Sequence, residues 1–277
     1  MNPRISVIMS VYQESIEQII PAIDSIVTQS FPDWELIVMV DDPQNETAIA
    51  YLHKRSTTDR RIKLYVNEEN LGLGASLNAA VSYASAPLLA RMDTEDISHP
   101  NRLIEQMTYM IAHPTTDLLF TQWQEQDENG VITKRLPSKD DAAHITKNFF
   151  LKSILLHPTM MVRRQVLIDH PYPAMGRPED WVLFLKLMRL GYQFRLLEKV
   201  LYTYQTDRRE KYTKVRAYAS NLLPHLFRNI PFYWHNVYFW IYVARVSVEW
   251  LISRNEYLFN TTNSTLKKIY HFISGTK

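Results

Sequence analysis

The chain has 277 residues, 46% hydrophobic and 22% charged, which excludes a disordered protein and allows one large domain or a domain with an appendage. It has no cysteine, which excludes disulfides, thiolate metal sites and a cysteine nucleophile and accords with a reducing compartment. The net charge of +2 joins two opposites: residues 208–277 carry 11 Lys and Arg against 3 Asp and Glu, a net of +8, while residues 1–207 carry 20 against 26, a net of −6.

RISVIMS (4–10) is a continuous apolar run, the pattern of a strand covered on both faces. Ile16, Ile19, Ile20, Ile23, Ile26 and Val27 follow at helical spacing, with Pro21 expected to mark the first turn. ELIVMV (35–40) predicts a second buried strand ending on Asp41-Asp42-Pro43, followed by a polar helix near 44–56 and a third strand, KLYV (63–66). NLGLGASLNAAVSYA (70–84) predicts a glycine-containing loop entering a small-residue helix. LLARM (88–92) predicts a fourth strand that ends on Asp93, Glu95 and Asp96, and residues 101–112 predict a helix with Leu103, Met107, Met110 and Ile111 inward. Strands alternating with helices imply a parallel sheet, in which ligands sit beyond the carboxyl ends of the strands, where Ser10, Asp41, Asp42 and the acidic cluster fall.

Past residue 117 short strand-like runs take over: DLLFTQW, VITKR, TMMVR, FRLLE and VLYTYQ, with Asn129-Gly130 as a hairpin signal. RPEDWVLFLKLMRLG (177–191) between them is apolar nearly all round, predicting a buried helix closed by Gly191, with Glu179 and Asp180 at its positive end. From about 208 the tail predicts helix, and residues 231–252 are its most apolar part. No run of about 18 apolar residues predicts a spanning helix, and the first residues are too quickly polar for a signal peptide.

Three carboxylates within four residues of a strand end can converge on a hard cation such as Mg²⁺ or Mn²⁺, or simply begin a helix before Pro100. Asp41-Asp42 can accept hydrogen bonds from a base or ribose, or make a turn. NLGLG lacks the dinucleotide spacing and suits a tight helix start. Asp180 can be a general base held ionised by the helix dipole, or an N-terminal cap. His157-Pro158 can be structural or catalytic, and Arg208, Arg209, Lys211 and Lys214 can hold a diphosphate or face solvent.

In order, SVIMSVYQES, IDSIVTQSFPDWELIVMVDDP, RIKLYVNEENLGLGASLNAAVSYA, ARMDTEDISHPNRL, HPTMMVRRQVL and EDWVLFLKLMRLGY resemble the motifs of a family 2 glycosyltransferase of the GT-A fold, over residues 4–207. The resemblance implies an α/β fold with a Rossmann-like, mostly parallel central sheet flanked by helices. It divides the chain into a catalytic domain, 1–207, with a nucleotide-sugar half (1–116) and an acceptor half (117–207), and a helical extension, 208–277. It assigns Ser10, Tyr12, Glu14 and Asp41 or Asp42 to the nucleotide sugar; the offset from Glu35 favours Asp41, and Pro43 replaces the usual glycine. Asn70, Gly72, Asn78, Arg91, Asp93 and Glu95 join that donor side. Asp93, Glu95 and Asp96 match the metal-binding Asp-x-Asp-Asp pattern with Glu95 for an Asp, and Asp96 leads as ligand. His157, Glu179 and Trp181 fall on the acceptor side, and Asp180 matches the catalytic base.

The activity so implied is inverting transfer of one sugar from a nucleotide-diphosphate sugar, UDP being the commonest donor nucleotide of the family, with Mn²⁺ or Mg²⁺ as cofactor. The acceptor is a hydroxyl of a glycan or lipid-linked glycan of the bacterial cell surface, such as lipopolysaccharide or capsule, and nucleic acid is not a partner. The Gln-x-x-Arg-Trp motif of processive synthases is absent, which favours single-sugar transfer. A cytoplasmic protein is expected, with the basic, aromatic tail either lying at the inner membrane face or packing on the catalytic domain or a second copy. A sugar nucleotidyltransferase would want a glycine-rich, basic loop after the first strand, and VYQES offers none. A binding protein with a degraded site is the other alternative, favoured by Pro43 and Glu95 and opposed by Asp180.

Overall fold

The computed structural model describes residues 2–127, 129–134, 140, 142–151, 154–206 and 212–254. Arg208, Arg209, Lys211 and the end of VITKR at Arg135 lie outside them, as does the side chain of Lys214. The first half runs β1 (Ile5–Val11), α1 (Ile16–Val27), β2 (Trp34–Val40), α2 (Glu46–Thr58), β3 (Ile62–Val66), α3 (Leu73–Tyr83) and β4 (Leu88–Arg91). β1 pairs in parallel with β2 on one side and β4 on the other, and β2 with β3. β2 is buried at every position and apolar at all of them but Glu35, whose carboxylate is held by Ser6, Lys63 and Ser85.

The second half runs β5 (Ile97–Ser98), α4 (Arg102–Ala112), β6 (Leu118–Gln126), β7 (Ile132–Lys134), α5 (Ala142–Leu151), β8 (Met161–Arg163), α6 (Arg164–Asp169), α7 (Glu179–Arg189), β9 (Phe194–Gln205), α8 (Tyr212–Tyr233) and α9 (Val237–Ile252). All strands join one sheet in the order β3-β2-β1-β4-β8-β6-β9-β5, with β7 on β6. β8 is antiparallel to β4 and β6, while β6 and β9 are parallel. The parallel half therefore carries the strand ends of the nucleotide motifs, and the mixed half closes over them.

The period of two along each strand sorts the core into two layers. Ile8, Ile37 and Met39 face the layer of α3, α7 and the C-terminal helices, whereas Val7, Met9, Leu36 and Val38 face that of α1, α2 and α4. α8 and α9 give Leu222, Leu226, Phe239, Tyr242 and Val246 to the first layer, so the extension after residue 207 packs on the catalytic part through its inner face. Each large apolar side chain so buried contributes roughly 1.5–3 kcal/mol.

Four local expectations differ from the structure. Pro21 lies inside α1 rather than at its start, because the amide of Ser15 donates to Gln18 Oε1 at 2.9 Å and opens the helix earlier. The proline forfeits one helical bond, outweighed by burial of Ile19, Ala22, Ile23 and Ile26. Ile111 is 57% exposed, since Met107 and Met110 already fill the inward stripe of α4. FRLLE and VLYTYQ form one strand, β9, whose pairing with β6 shifts register twice. α5, α6 and the two-residue β5 were not signalled by periodicity.

Candidate active site

Asp41 follows β2 and is 3% exposed. Its Oδ1 accepts from Asn67 Nδ2 at 2.7 Å and from the amide of Leu71 at 2.9 Å, and its Oδ2 from the amide of Gly72 at 2.9 Å. Gly72 sits at φ 83°, which favours glycine, and opens α3. Asp41 therefore braces the Asn70–Gly72 loop with both oxygens and turns away from any open cleft, against the preference for it as the nucleoside contact. Asp42 is half-buried and accepts only the amide of Gln44, at 2.9 Å. It lines a cleft of about 370 Å³ with Gln13, Glu14, Asn45 and Thr47 beyond the ends of β1 and β2. Glu14 accepts the amide of Tyr12 at 2.6 Å, Tyr12 is 40% exposed, Ser10 is half-buried near the end of β1, and Asn70 is exposed.

Asn78 is a strut. Its Nδ2 donates to the carbonyl of Tyr172 at 3.0 Å and its Oδ1 accepts the amide of Tyr172 at 2.9 Å, so its amide is spent within the protein and not on the donor side. Nearby, a Cβ on Gly74 would stand 3.2 Å from the carbonyl oxygen of Pro173 and 3.5 Å from Glu179 Cγ. α3 thus touches the segment entering α7.

Arg91, at the end of β4, is 3% exposed and pairs with Asp93, whose charge and hydrogen bond hold the guanidinium protonated against its burial. The acidic loop that follows does not gather its three carboxylates around one point. Asp93 turns to Arg91 and Glu95 is exposed. Asp96 is 1% exposed, with Oδ1 accepting the amide of Gln205 at 2.8 Å and Oδ2 buried without a hydrogen-bond partner. Burial first, and then the charge of Asp93, pushes its carboxyl up to about 8. Among the described residues no three His, Asp or Glu side chains form a cation cage. The donor set instead fits a hard cation that takes one or two carboxylates and completes its shell with diphosphate oxygens and water. The buried Oδ2 of Asp96 and its raised proton affinity mark a place where a cation would stabilise the carboxylate, and Asp93 and Glu95 are the more exposed members of the cluster.

His157 lies in a short 3-10 turn, His157–Thr159, before β8, and is 5% exposed. Its Nε2 is 2.7 Å from the Tyr172 hydroxyl and its Nδ1 is 3.9 Å from Asp180 Oδ2. Burial, and then the Arg91 charge, holds the imidazole well below its usual range, so the ring is neutral and the contact with Asp180 is not an ion pair. Asp180, in the first turn of α7, keeps 31% of its side chain exposed, and burial raises its carboxyl above the ordinary range despite the amide of Trp181 at 2.7 Å. Glu179 is 3% exposed and is raised by burial and by Asp180. Trp181 is not open to an acceptor: its ring is stacked between Phe149 at 4.7 Å and Tyr242 at 4.8 Å.

Three contributors carried no spacing signal. Tyr172 links Asn78 to His157. Tyr202, in β9, accepts the amide of Asp93 at 3.3 Å. Arg102, fully buried behind the acidic loop, donates to the carbonyl of Arg91 at 2.8 Å and to Gln106 Oε1 at 2.9 Å, and stands 5.0 Å over the Tyr202 ring.

Residues 6–170 match the family described as Glycosyl transferase family 2. An uncharacterized glycosyltransferase of Methanocaldococcus jannaschii is 34% identical over 245 residues, covering 86% of this chain and 84% of its own. A UDP-Glc:alpha-D-GlcNAc-diphosphoundecaprenol beta-1,3-glucosyltransferase of Escherichia coli is 27% identical over 186 residues, covering 67% and 70%. Among solved structures, a mannosyltransferase of Pyrobaculum calidifontis in complex with GDP-Man and Mn²⁺ superposes with a TM-score of 0.65 at 16% identity, covering 100% of this chain and 84% of its own.

Proposed function

The chain belongs to glycosyl transferase family 2, and from that premise we propose that it moves one sugar from a nucleotide-diphosphate sugar, of the UDP class, to a hydroxyl of a glycan or lipid-linked glycan, inverting the anomeric carbon. It is a glycosyltransferase of GT-A architecture. The E. coli relative named for a UDP-glucose donor and a diphosphoundecaprenol-linked acceptor supports the donor and acceptor classes, and hence a role in cell-surface polysaccharide assembly.

The observation that carries the mechanism is Asp180: a part-exposed carboxylate of raised proton affinity at the positive end of α7, 3.9 Å from a neutral His157. Asp180 accepts the proton of the acceptor hydroxyl as that oxygen bonds to the anomeric carbon, and the bond from that carbon to the diphosphate breaks on the opposite face. His157, fixed by Tyr172, keeps the carboxylate oriented without taking the proton. Asp42 and Glu14, on the open cleft, suit the nucleoside and ribose, and Asp41 holds the Asn70–Gly72 loop from behind. Asp93 and Glu95 would hold Mn²⁺ or Mg²⁺, which when bound supplies charge neutralisation for the leaving diphosphate.

Calorimetry across UDP, dTDP and GDP sugars, with and without Mn²⁺, tests the donor side. Metal-dependent binding of one nucleotide class is expected, and no binding to any of them sinks the transfer mechanism. With a donor in hand, Asp180→Asn is expected to lower transfer by about 10²–10⁴ with donor binding unchanged; wild-type turnover in that variant removes Asp180 as the base.

A further inference from the structure

The outer face of α9 has no polar residue. Its exposed positions are Val237, Trp240, Ala244, Val248 and Leu251, spaced three, four, four and three apart, which is one stripe of the helix. The opposite face is already spent on the core through Phe239, Tyr242, Val243 and Val246. The polar side chains of α9, Arg245, Ser247 and Glu249, are half-buried, and the apolar stripe itself is left uncovered. The 16 residues of α9 extend about 24 Å, and no helix among the described residues is long and apolar enough to cross a membrane. At the turn into α9, Phe232 is 50% and Trp234 68% exposed, and Trp240 Nε1 donates to the Trp234 carbonyl at 2.9 Å, tying the turn to the helix.

Charge selects the occupant. α8 and α9 hold one acid, Glu249, which pairs with Arg245 at 2.7 Å, against the cations Lys214, Arg216 and Arg228 of α8. Arg216 and Arg228 are exposed on α8, and the Arg189 guanidinium lies 4.5 Å over the Phe232 ring. A second copy related by a two-fold axis would set this basic surface against itself. Residues 255–277 carry three Lys and one Glu and offer no compensating charge. Indoles at a helix start, an apolar stripe and flanking arginines match the interface of an anionic bilayer, where aromatic rings sit among headgroups and basic side chains meet lipid phosphates.

We propose that the outer face of α9, with the turn Phe232–Asn236, lies in the surface of an anionic membrane, with Arg216 and Arg228 toward the headgroups. The placement serves the chemistry. Tyr242, on the inner face of α9, stacks on Trp181, the neighbour of Asp180, and is only five residues, about 7–8 Å of axial rise, past Val237. The base would then stand close to the plane from which a lipid-linked acceptor projects. Only this last consequence rests on the transferase mechanism; the docking does not.

The test is flotation of the full chain with vesicles of phosphatidylcholine alone and of phosphatidylcholine with phosphatidylglycerol, at rising salt, beside UDP-sugar calorimetry and light scattering. Wild type is expected to float with the anionic vesicles and to be released by salt. Trp234→Ser/Val248→Ser/Leu251→Ser is expected to lower the bound fraction roughly tenfold or more, and Arg216→Glu/Arg228→Glu to abolish the preference for anionic lipid, both with donor binding intact. Trp234→Ser alone, at the most exposed position, serves as the mild variant if the triple one misfolds. The proposal is overturned if wild type stays unbound, if the serine variants float like wild type, or if light scattering shows a dimer that they dissociate. Flotation without nucleotide binding would instead remove the transferase mechanism and leave the docking standing.

Discussion

Replacing Asn78 separates two roles for one side chain. If its amide contacted the donor, Asn78→Ala would weaken nucleotide binding and leave stability nearly unchanged. The structure has it joining α3 to Tyr172 through two hydrogen bonds, at 2.9 and 3.0 Å, across 94 residues of chain. Each is worth about 0.5–1.5 kcal/mol net, so losing both costs roughly 1–3 kcal/mol. Asn78→Asp keeps the acceptor but sets a carboxylate oxygen against the Tyr172 carbonyl, and should cost at least as much. Since Tyr172 holds His157, and His157 faces Asp180, kcat should fall in both while the Kd for the donor stays within about twofold. Urea denaturation gives the first quantity, calorimetry the second and a transfer assay the third. A tenfold rise in Kd at wild-type stability would refute the strut.

Asp41→Asn presents an NH₂ group to at least one of three converging donors, and should cost about 2–3 kcal/mol by denaturation while loosening the donor loop; Asp42→Asn should spare stability and raise the donor Kd. His157 is held below its ordinary 6.5, so below that pH the unfolded chain takes up a proton that the folded one refuses. Stability should therefore fall with acidification from about pH 6.5, by up to about 1.4 kcal/mol per pH unit, and His157→Gln should remove that increment from denaturation midpoints measured at pH 7 and pH 5. Trp181→Leu leaves a gap between Phe149 and Tyr242 and should cost about 2–4 kcal/mol in the same experiment.

What the sequence displays well is whatever one element decides alone. The buried strands β1, β2 and β4 are largely apolar, so their ends, and with them Asp41, Asp42 and the acidic loop, could be located from the sequence. Asp180 was legible because a helix start and a carboxylate coincide. Partnership was not legible. Asp41 and Asp42 look alike in sequence, and only the amides of Leu71 and Gly72, about thirty residues on, make one a brace and leave the other open. Trp181 looked like an acceptor contact because it follows Asp180, whereas successive helical residues point about 100° apart and the next position turns into the core. Tyr172 and Tyr202 act through hydroxyls that meet distant segments, so no local pattern announces them.

β9 ties the order of synthesis to the shape of the acidic loop. Asp96 accepts the amide of Gln205, and the amide of Asp93 finds its acceptor on Tyr202, each 109 residues further along the chain. At about 5–20 residues per second, the ribosome needs roughly 5–20 s after Asp96 before those partners exist. Until then the parallel strands can pair and Asp93 can meet Arg91, but Asp96 has nothing to hold it inward. A fragment ending near residue 116 would thus be a sheet with a floppy acidic end, not half of an enzyme, and exchanging the first 116 residues between relatives would succeed only where the incoming loop is met by a hydroxyl and a backbone amide at the positions of Tyr202 and Gln205.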